Sequence, residues 1–118
     1  MLPTAPGLVT VAAAGTPVPL ATASDTAHGY PQDKDLWCHR LVCKAPFTTP
    51  NMTGNAGAIY IGKKGLNRTT GANVIMVLLP GDSQALDGTG PGNCLWVPGI
   101  YVDADNTGDS VLPEMDII

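Results

Sequence analysis

Short apolar runs broken by turn residues are the feature that most constrains the fold of this chain. Residues 58–61 stand between Gly57 and Gly62, and the almost wholly apolar run 73–79 is ended by Pro80. Short runs bounded by Gly, Pro, Asn or Asp are typical of β-strands, because these boundary residues reverse the chain. About seven strands at roughly ten-residue spacing predict an all-β single domain, a β-sandwich or a jelly roll. Strands are predicted at 8–12, 17–21, 58–61, 73–79, 94–97 and 100–103.

The composition excludes two other classes of chain. Among the 118 residues are 14 glycines and 11 prolines, while 14% of the residues are charged and 44% are apolar. A disordered chain would be richer in charge and poorer in apolar residues. The glycines show no three-residue period, so a collagen-like chain is excluded too. The run 73–79 holds no charge, and we expect it to form a strand buried on both faces.

The segment 31–45 fits both a helix and a strand. Trp37, Leu41 and Val42 follow Pro31 at near-helical spacing, with acidic residues early and Lys44 late, as in a helix. A strand would instead place alternate residues on one face, namely Trp37, His39, Leu41, Cys43 and Ala45. Periodicity leaves both open, and we favour a strand from Cys38 onward because the rest of the chain is so consistently β.

The first third of the chain differs from the remainder. Residues 1–36 hold five of the eleven prolines and no basic residue before Lys34. Proline-rich extended chain loses little entropy on docking and often lies across a neighbouring subunit. We interpret 1–36 as an extended N-terminal arm with the first strands, and 37–118 as the body of the sandwich. A disordered terminus is the alternative.

Charge is distributed unevenly along the chain. All six basic residues lie between positions 34 and 68, and seven of the ten acidic residues lie after position 80. The net charge of −4 disfavours nucleic acid as a partner. Opposite patches suit self-association or docking on another protein, although solvated loop charges give the same pattern. The apolar stretch 8–14 is too short to span a membrane, so no membrane partner is predicted.

No set of residues predicts catalysis or a cofactor. The three cysteines, Cys38, Cys43 and Cys94, form no C-x-x-C pair, and we expect them to be reduced thiols. Zinc held by these cysteines and His39 is disfavoured, because Cys38 and His39 are adjacent and would face opposite sides of a strand. The chain is therefore not expected to be an enzyme.

One segment has the spacing of a calcium-binding loop. Asp103, Asp105 and Thr107 stand at loop positions 1, 3 and 5, Gly108 at position 6, and Glu114 at position 12. The flanking residues are strand-like, whereas a calcium loop of this type lies between helices. We favour a hairpin turn at 105–108 in which Gly108 supplies a positive φ.

The remaining candidates are contact residues rather than chemical groups. Trp96 lies in a predicted strand and is either a core side chain or an interface anchor. Trp37 would mark the point where the arm docks on the body. The other predicted interface residues are Leu8, Val9 and Val18.

A series of short segments resembles the small β-sandwich virion proteins of tailed bacteriophages, the head decoration or cement proteins. The segments are Ala14-Gly-Thr-Pro-Val-Pro-Leu, Cys38-His-Arg-Leu-Val-Cys-Lys-Ala, Gly57-Ala-Ile-Tyr-Ile-Gly62, Leu79-Pro-Gly-Asp-Ser83 and Ile100-Tyr-Val-Asp-Ala-Asp105 with Gly108-Asp-Ser-Val111. The series covers residues 14–111 and departs from the pattern around 28–34 and 87–94.

This resemblance implies a structural role without catalysis. It implies a protein made in the host cytoplasm that binds the major capsid protein on the outside of an assembled phage head. Such proteins often associate as homotrimers, which would also cover sheet edges that invite uncontrolled pairing. The alternatives are a phage tail or fibre protein, or a calcium-dependent carbohydrate-binding module that uses loops 82–93 and 103–109.

Overall fold

The computed structural model describes residues 2–4, 8–21, 37–89 and 91–117 of the chain. These residues form strands, turns and two short 3-10 segments at Pro91–Asn93 and Val97–Gly99, with no α-helix among them. The all-β prediction is therefore confirmed. The strands are β1 (Leu2–Thr4), β2 (Val9–Thr10), β3 (Val18–Pro19), β4 (Trp37–Lys44), β5 (Ile59–Lys63), β6 (Val74–Leu78), β7 (Ser83–Asp87), β8 (Leu95–Trp96), β9 (Ile100–Ala104) and β10 (Ser110–Ile117).

Two antiparallel sheets pack face to face as a β-sandwich. In the six-stranded sheet the order is β1-β10-β4-β7, with β2 also paired to β10 and β8 also paired to β4. The order in the four-stranded sheet is β3-β9-β5-β6. The core between the sheets is formed by inward-facing side chains from both, as expected for sandwich packing. Its largest fully buried apolar members include Val11, Leu20, Leu41, Ile59, Ile61, Leu78, Val97, Val102 and Val111.

Segment 31–45 supplies a strand, as favoured, but a bulge changes which residues face inward. Leu41 pairs with Met115 and Cys38 pairs with Ile117, so β4 has one residue more than β10 over this stretch. An extra residue of this kind reverses the alternation beyond it. Cys38 is consequently buried, whereas Trp37 faces solvent. The expectation that Trp37, His39 and Leu41 share one face is wrong. Residues 31–36 lie outside the described residues.

The run 73–79, expected to form a strand buried on both faces, contains strand β6. This strand belongs to a sandwich of two sheets, so the other sheet covers only one of its faces. Met76 and Leu78 point into the core, while Ile75, Val77 and Leu79 are 41%, 45% and 58% exposed. The strand is buried on one face, not on both.

Strand β7 lies within the segment 82–93, which the sequence predicted to be a loop. Its side chains are mostly exposed, so it gives little of the apolar alternation by which strands are recognised. Pairing with β4 along the register from Arg40–Asp87 to Lys44–Ser83 holds it in place. Arg40 Nε also contacts Asp87 Oδ1 at 3.0 Å.

Residues 8–21 belong to the body of the sandwich. β2 pairs with β10, and β3 pairs with β9. Val9, Val11 and Leu20 are buried in the core. Of the predicted arm, 1–36, β1 is also described, whereas residues 1, 5–7 and 22–36 lie outside the described residues. In the part of the chain that is described, no helix has the length and apolar character needed to cross a bilayer.

Candidate functional site

The four calcium candidates all have other partners, and one of them, Glu114, lies in the other sheet. The buried Asp103 carboxylate accepts hydrogen bonds from Gly15 N at 2.9 Å and Ala104 N at 2.8 Å. Thr107 Oγ1 accepts a hydrogen bond from Ala14 N at 3.1 Å. Glu114 stands on β10 in the other sheet, and its Oε2 contacts Lys44 Nζ at 3.3 Å. The predicted ligand set is therefore not assembled in this fold.

Arg68 contacts both Asp103 and Asp105. Its Nη1 donates to Asp105 Oδ1 at 3.0 Å, and its Nε lies 3.7 Å from Asp103 Oδ2. Tyr60 also donates to Asp105, at 3.1 Å. Desolvation and the Asp105 carboxylate raise the pKa of the Tyr60 hydroxyl. These four side chains form a cluster that joins the loop before β6 to β9. Its hydrogen bonds and ion pairs have a structural role.

The predicted turn at 105–108 is present, but the two strands that it joins do not pair with each other. Gly108 has φ +90°, and Asp109 N donates to Asn106 O at 3.2 Å. The strands that it joins, β9 and β10, belong to different sheets. The turn is thus a crossing between the two sheets rather than a hairpin.

The positions of the buried thiols and of His39 do not suit a zinc site. Cys38 and Cys43 face the core, whereas the half-buried His39 has its Nδ1 3.1 Å from Asn93 O. Burial raises the pKa of Cys38 to about 11 and that of Cys43 to about 12, which disfavours the thiolate that binds metals. Among the described residues, no group of three or more His, Cys, Asp or Glu side chains could hold a metal ion.

Trp37 and Trp96 form an exposed pair on the six-stranded sheet. They are directly opposite each other in the β4–β8 pairing, with ring centroids 6.4 Å apart and planes inclined by 42°. Their exposed fractions are 38% and 46%. Trp96 is therefore not a core residue, and the two indoles together present an aromatic surface.

A second exposed apolar surface is a groove at the end of β4, which we call the apolar groove. It has a volume of about 440 Å³. Its exposed apolar side chains are Leu8, Phe47 and Met52, all about half accessible to solvent. Half-buried Leu112 completes the lining, and Lys44 and Asp82 supply charges of opposite sign.

Local hydrogen bonds hold the loop that carries Phe47 and Met52. Thr49 and Met52 form a β-bridge, with backbone hydrogen bonds of 2.9 and 3.3 Å. Thr49 Oγ1 also accepts a hydrogen bond from Met52 N at 3.1 Å. Leu8 and Leu112 come from distant parts of the chain. The apolar groove is thus assembled by tertiary structure.

The predicted interface residues lie in different environments in the structure. Leu8 lines the apolar groove, and Trp37 and Trp96 form the exposed pair. Val9 is buried in the core of its own chain, and Val18 is partly buried against that core. Sequence reasoning missed Phe47 and Met52. The available signal was an aromatic residue in a proline-flanked segment outside any predicted strand.

A comparison with known protein families, with curated proteins and with solved structures finds no match to this chain.

Proposed function

We propose that this protein is a structural component of a bacteriophage particle, which binds the major capsid protein on the outside of the assembled head and stabilises it. The observation that supports this role is the apolar groove. Its three exposed apolar side chains, Leu8, Phe47 and Met52, stand on a sandwich that holds them in place. Large exposed apolar patches on soluble domains mark surfaces that bind other molecules.

The groove has the composition of a protein-docking site. Burying one Phe, Met or Leu side chain against a partner contributes roughly 1.5–3 kcal/mol. Lys44 and Asp82 at the groove would select the orientation of the partner more than they add affinity. A protein that works by packing needs this kind of surface and no catalytic group. We therefore propose that the groove is the surface that contacts the major capsid protein of the phage head.

The experiment is cosedimentation of the purified protein with emptied heads of the tailed phage that carries its coding sequence. We expect the protein to move with the heads in a sucrose gradient, and the exposed-site variant Phe47→Asp to stay at the top. Thr70→Asp, on an exposed loop away from the groove, is the matched control and should still move with the heads. Failure of the parent protein to bind, or binding by Phe47→Asp equal to that of the parent, would contradict the proposal.

Placement on the tail or a fibre is the closest alternative, because the same docking chemistry would serve there. Antibody labelling of intact particles in the electron microscope separates the two. Gold on the head supports the proposal, whereas gold confined to the tail overturns the capsid assignment.

The exposed tryptophan pair favours a second candidate function, carbohydrate binding. Indole faces stack on sugar rings much as they stack on other flat apolar surfaces. The predicted calcium ligand Asp103 is enclosed by Gly15, Ala104 and Arg68, so this candidate rests on Trp37 and Trp96 alone. A glycan array would test it. Binding lost in Trp96→Ala and retained in Phe47→Asp would favour the carbohydrate module, while an array without binding would remove it.

A further inference from the structure

We infer that two copies of this chain pair through strand β6, edge to edge and antiparallel, to join their four-stranded sheets into one. This goes beyond the proposed function, because it concerns a second copy of the chain at the edge of β6, which adjoins the apolar groove at Asp82. Among the described residues, β6 is hydrogen-bonded to β5 on one side only. Its other side therefore presents open backbone donors and acceptors as far as Leu78. The N–H and C=O of the following residue, Leu79, bond to Asp82.

The other sheet edges carry the features by which proteins prevent such pairing. β1 and β3 are three and two residues long, and each contains a proline, Pro3 or Pro19. β7 is polar and exposed, and its Asp87 forms an ion pair with Arg40. Short length, proline and charge are the usual protections of an edge strand. Over Val74–Leu78, β6 has no proline and no charged residue, and its one irregularity is a register shift at Ile75 in the pairing with β5.

The side chains of β6 match a second copy of themselves. Ile75 and Val77 are exposed on its outer face, and Leu79, which directly follows the strand, is exposed as well, so that Val77 is at the centre of the three. In an antiparallel pair, residues directly opposite each other lie on the same face of the sheet. Pairing centred on Val77 sets the two Val77 side chains against each other and Ile75 against the second copy's Leu79. Each exposed apolar side chain thus meets another.

The charges at the two ends of the β5–β6 hairpin favour the same arrangement. Lys63 and Lys64 lie where β5 ends, whereas Asp82 follows β6 at the opposite end. The Asp82 carboxylate is held beside the strand by the hydrogen bond that its Oδ2 accepts from Leu79 N at 3.0 Å. Antiparallel pairing brings the lysine end of one copy to the Asp82 end of the other. Opposite charges at an interface fix the register and orientation of the partners.

The native mass of the full chain, measured by sedimentation equilibrium over a range of concentrations, tests this inference. We expect a concentration-dependent dimer and, for Val77→Lys, dimerisation weakened about tenfold or more, because two like charges would meet at the centre. Ala85→Lys places the same charge on exposed β7 and should dimerise like the parent. Unchanged circular dichroism and melting temperature would show that Val77→Lys is folded.

Covalent trapping provides an independent measurement. Val77→Cys should give a disulfide-linked dimer on mild oxidation, because the two copies of residue 77 face each other. Both cysteine variants are made in a Cys94→Ser background, because Cys94 is half-buried whereas Cys38 and Cys43 are buried. Ala85→Cys in this background and Cys94→Ser alone are the controls and should give none. A monomeric parent at all concentrations would overturn the inference, and so would a dimer or trimer unaffected by Val77→Lys. We expect Val77→Lys still to bind phage heads. Its loss of dimerisation can then be distinguished from the loss of head binding expected for Phe47→Asp.

Discussion

The Asn55 carboxamide forms two hydrogen bonds with the backbone of Ser110, as a neighbouring strand would. Asn55 Nδ2 donates to Ser110 O at 2.7 Å, and Ser110 N donates to Asn55 Oδ1 at 2.8 Å. Both residues are buried. The loop between β4 and β5 is thereby attached to the first residue of β10. The neighbouring Asp109 carboxylate strengthens the attachment by accepting hydrogen bonds from Ala56 N and Gly57 N, both at 3.0 Å.

We expect Asn55→Ala to lower the free energy of unfolding by about 1–3 kcal/mol, because it leaves a buried donor and a buried acceptor of Ser110 without partners. Asn55→Asp should be at least as damaging, since a carboxylate retains the acceptor but loses the donor and adds a buried charge. Urea unfolding of both variants measures this. The exposed Asn51, in the same loop, is the control, and a loss in Asn51→Ala as large as that in Asn55→Ala would contradict the interpretation.

The buried carboxylate of Asp103 should contribute far more to stability than an exposed one. We expect Asp103→Ala to cost about 2–4 kcal/mol, because the Gly15 and Ala104 amides lose their acceptor and Arg68 loses a charge partner. Asp103→Asn keeps an acceptor oxygen and should cost less. The comparison is Asp87→Ala, which breaks the exposed ion pair with Arg40 and should cost no more than about 1 kcal/mol. Equal losses in thermal or urea unfolding would contradict this assignment.

Stability should fall at alkaline pH because two thiols are buried. Burial raises the pKa of Cys38 to about 11 and that of Cys43 to about 12, from the ordinary value of 9.0. Above pH 9 the unfolded chain therefore loses these protons while the folded chain keeps them, so unfolding becomes easier as the pH rises. The expected decline between pH 9 and 11 is about 1 kcal/mol per pH unit for each thiol.

Urea unfolding in reductant at pH 8, 9, 10 and 11 measures this decline. Cys43→Val removes one titrating thiol and replaces it with an apolar side chain of similar size. Its stability should consequently fall less steeply with pH than that of the parent. Equal slopes for the two proteins would show that the Cys43 thiol is not the cause.

Calcium should leave the melting temperature of the protein unchanged. The loop 103–114 has the spacing of a calcium site, but Glu114 is held by Lys44 on the other sheet, and Asp103 and Asp105 are engaged by Arg68. Differential scanning calorimetry in EDTA and in millimolar calcium gives the comparison. A rise of several degrees with calcium, removed by Asp105→Asn, would establish a site that this arrangement does not predict.

The positions of many strands could be predicted from the sequence because the signals are local. The apolar run 58–61 between two glycines forms most of β5, and Gly108 adopts the positive φ that the turn requires. Turn residues and apolar runs act over a few residues, so they can be recognised without knowing which strands lie beside them in the fold. β7 escaped this reasoning because pairing with β4, rather than an apolar pattern, holds a polar strand in place.

Burial and the candidate sites were decided by the tertiary structure. Nothing within the run 73–79 indicates that only one face of β6 is covered, which exposes Val77, or that β6 ends its sheet, which leaves its edge available to a second copy. The bulge in β4 depends on its pairing with β10 and turns Trp37 to the surface, where the pairing of β4 with β8 sets it opposite Trp96. The apolar groove gathers residues from positions 8 to 112. Local sequence determined where strands form, whereas exposure of each face was set by which distant strands cover it, a relation that no short run of residues encodes.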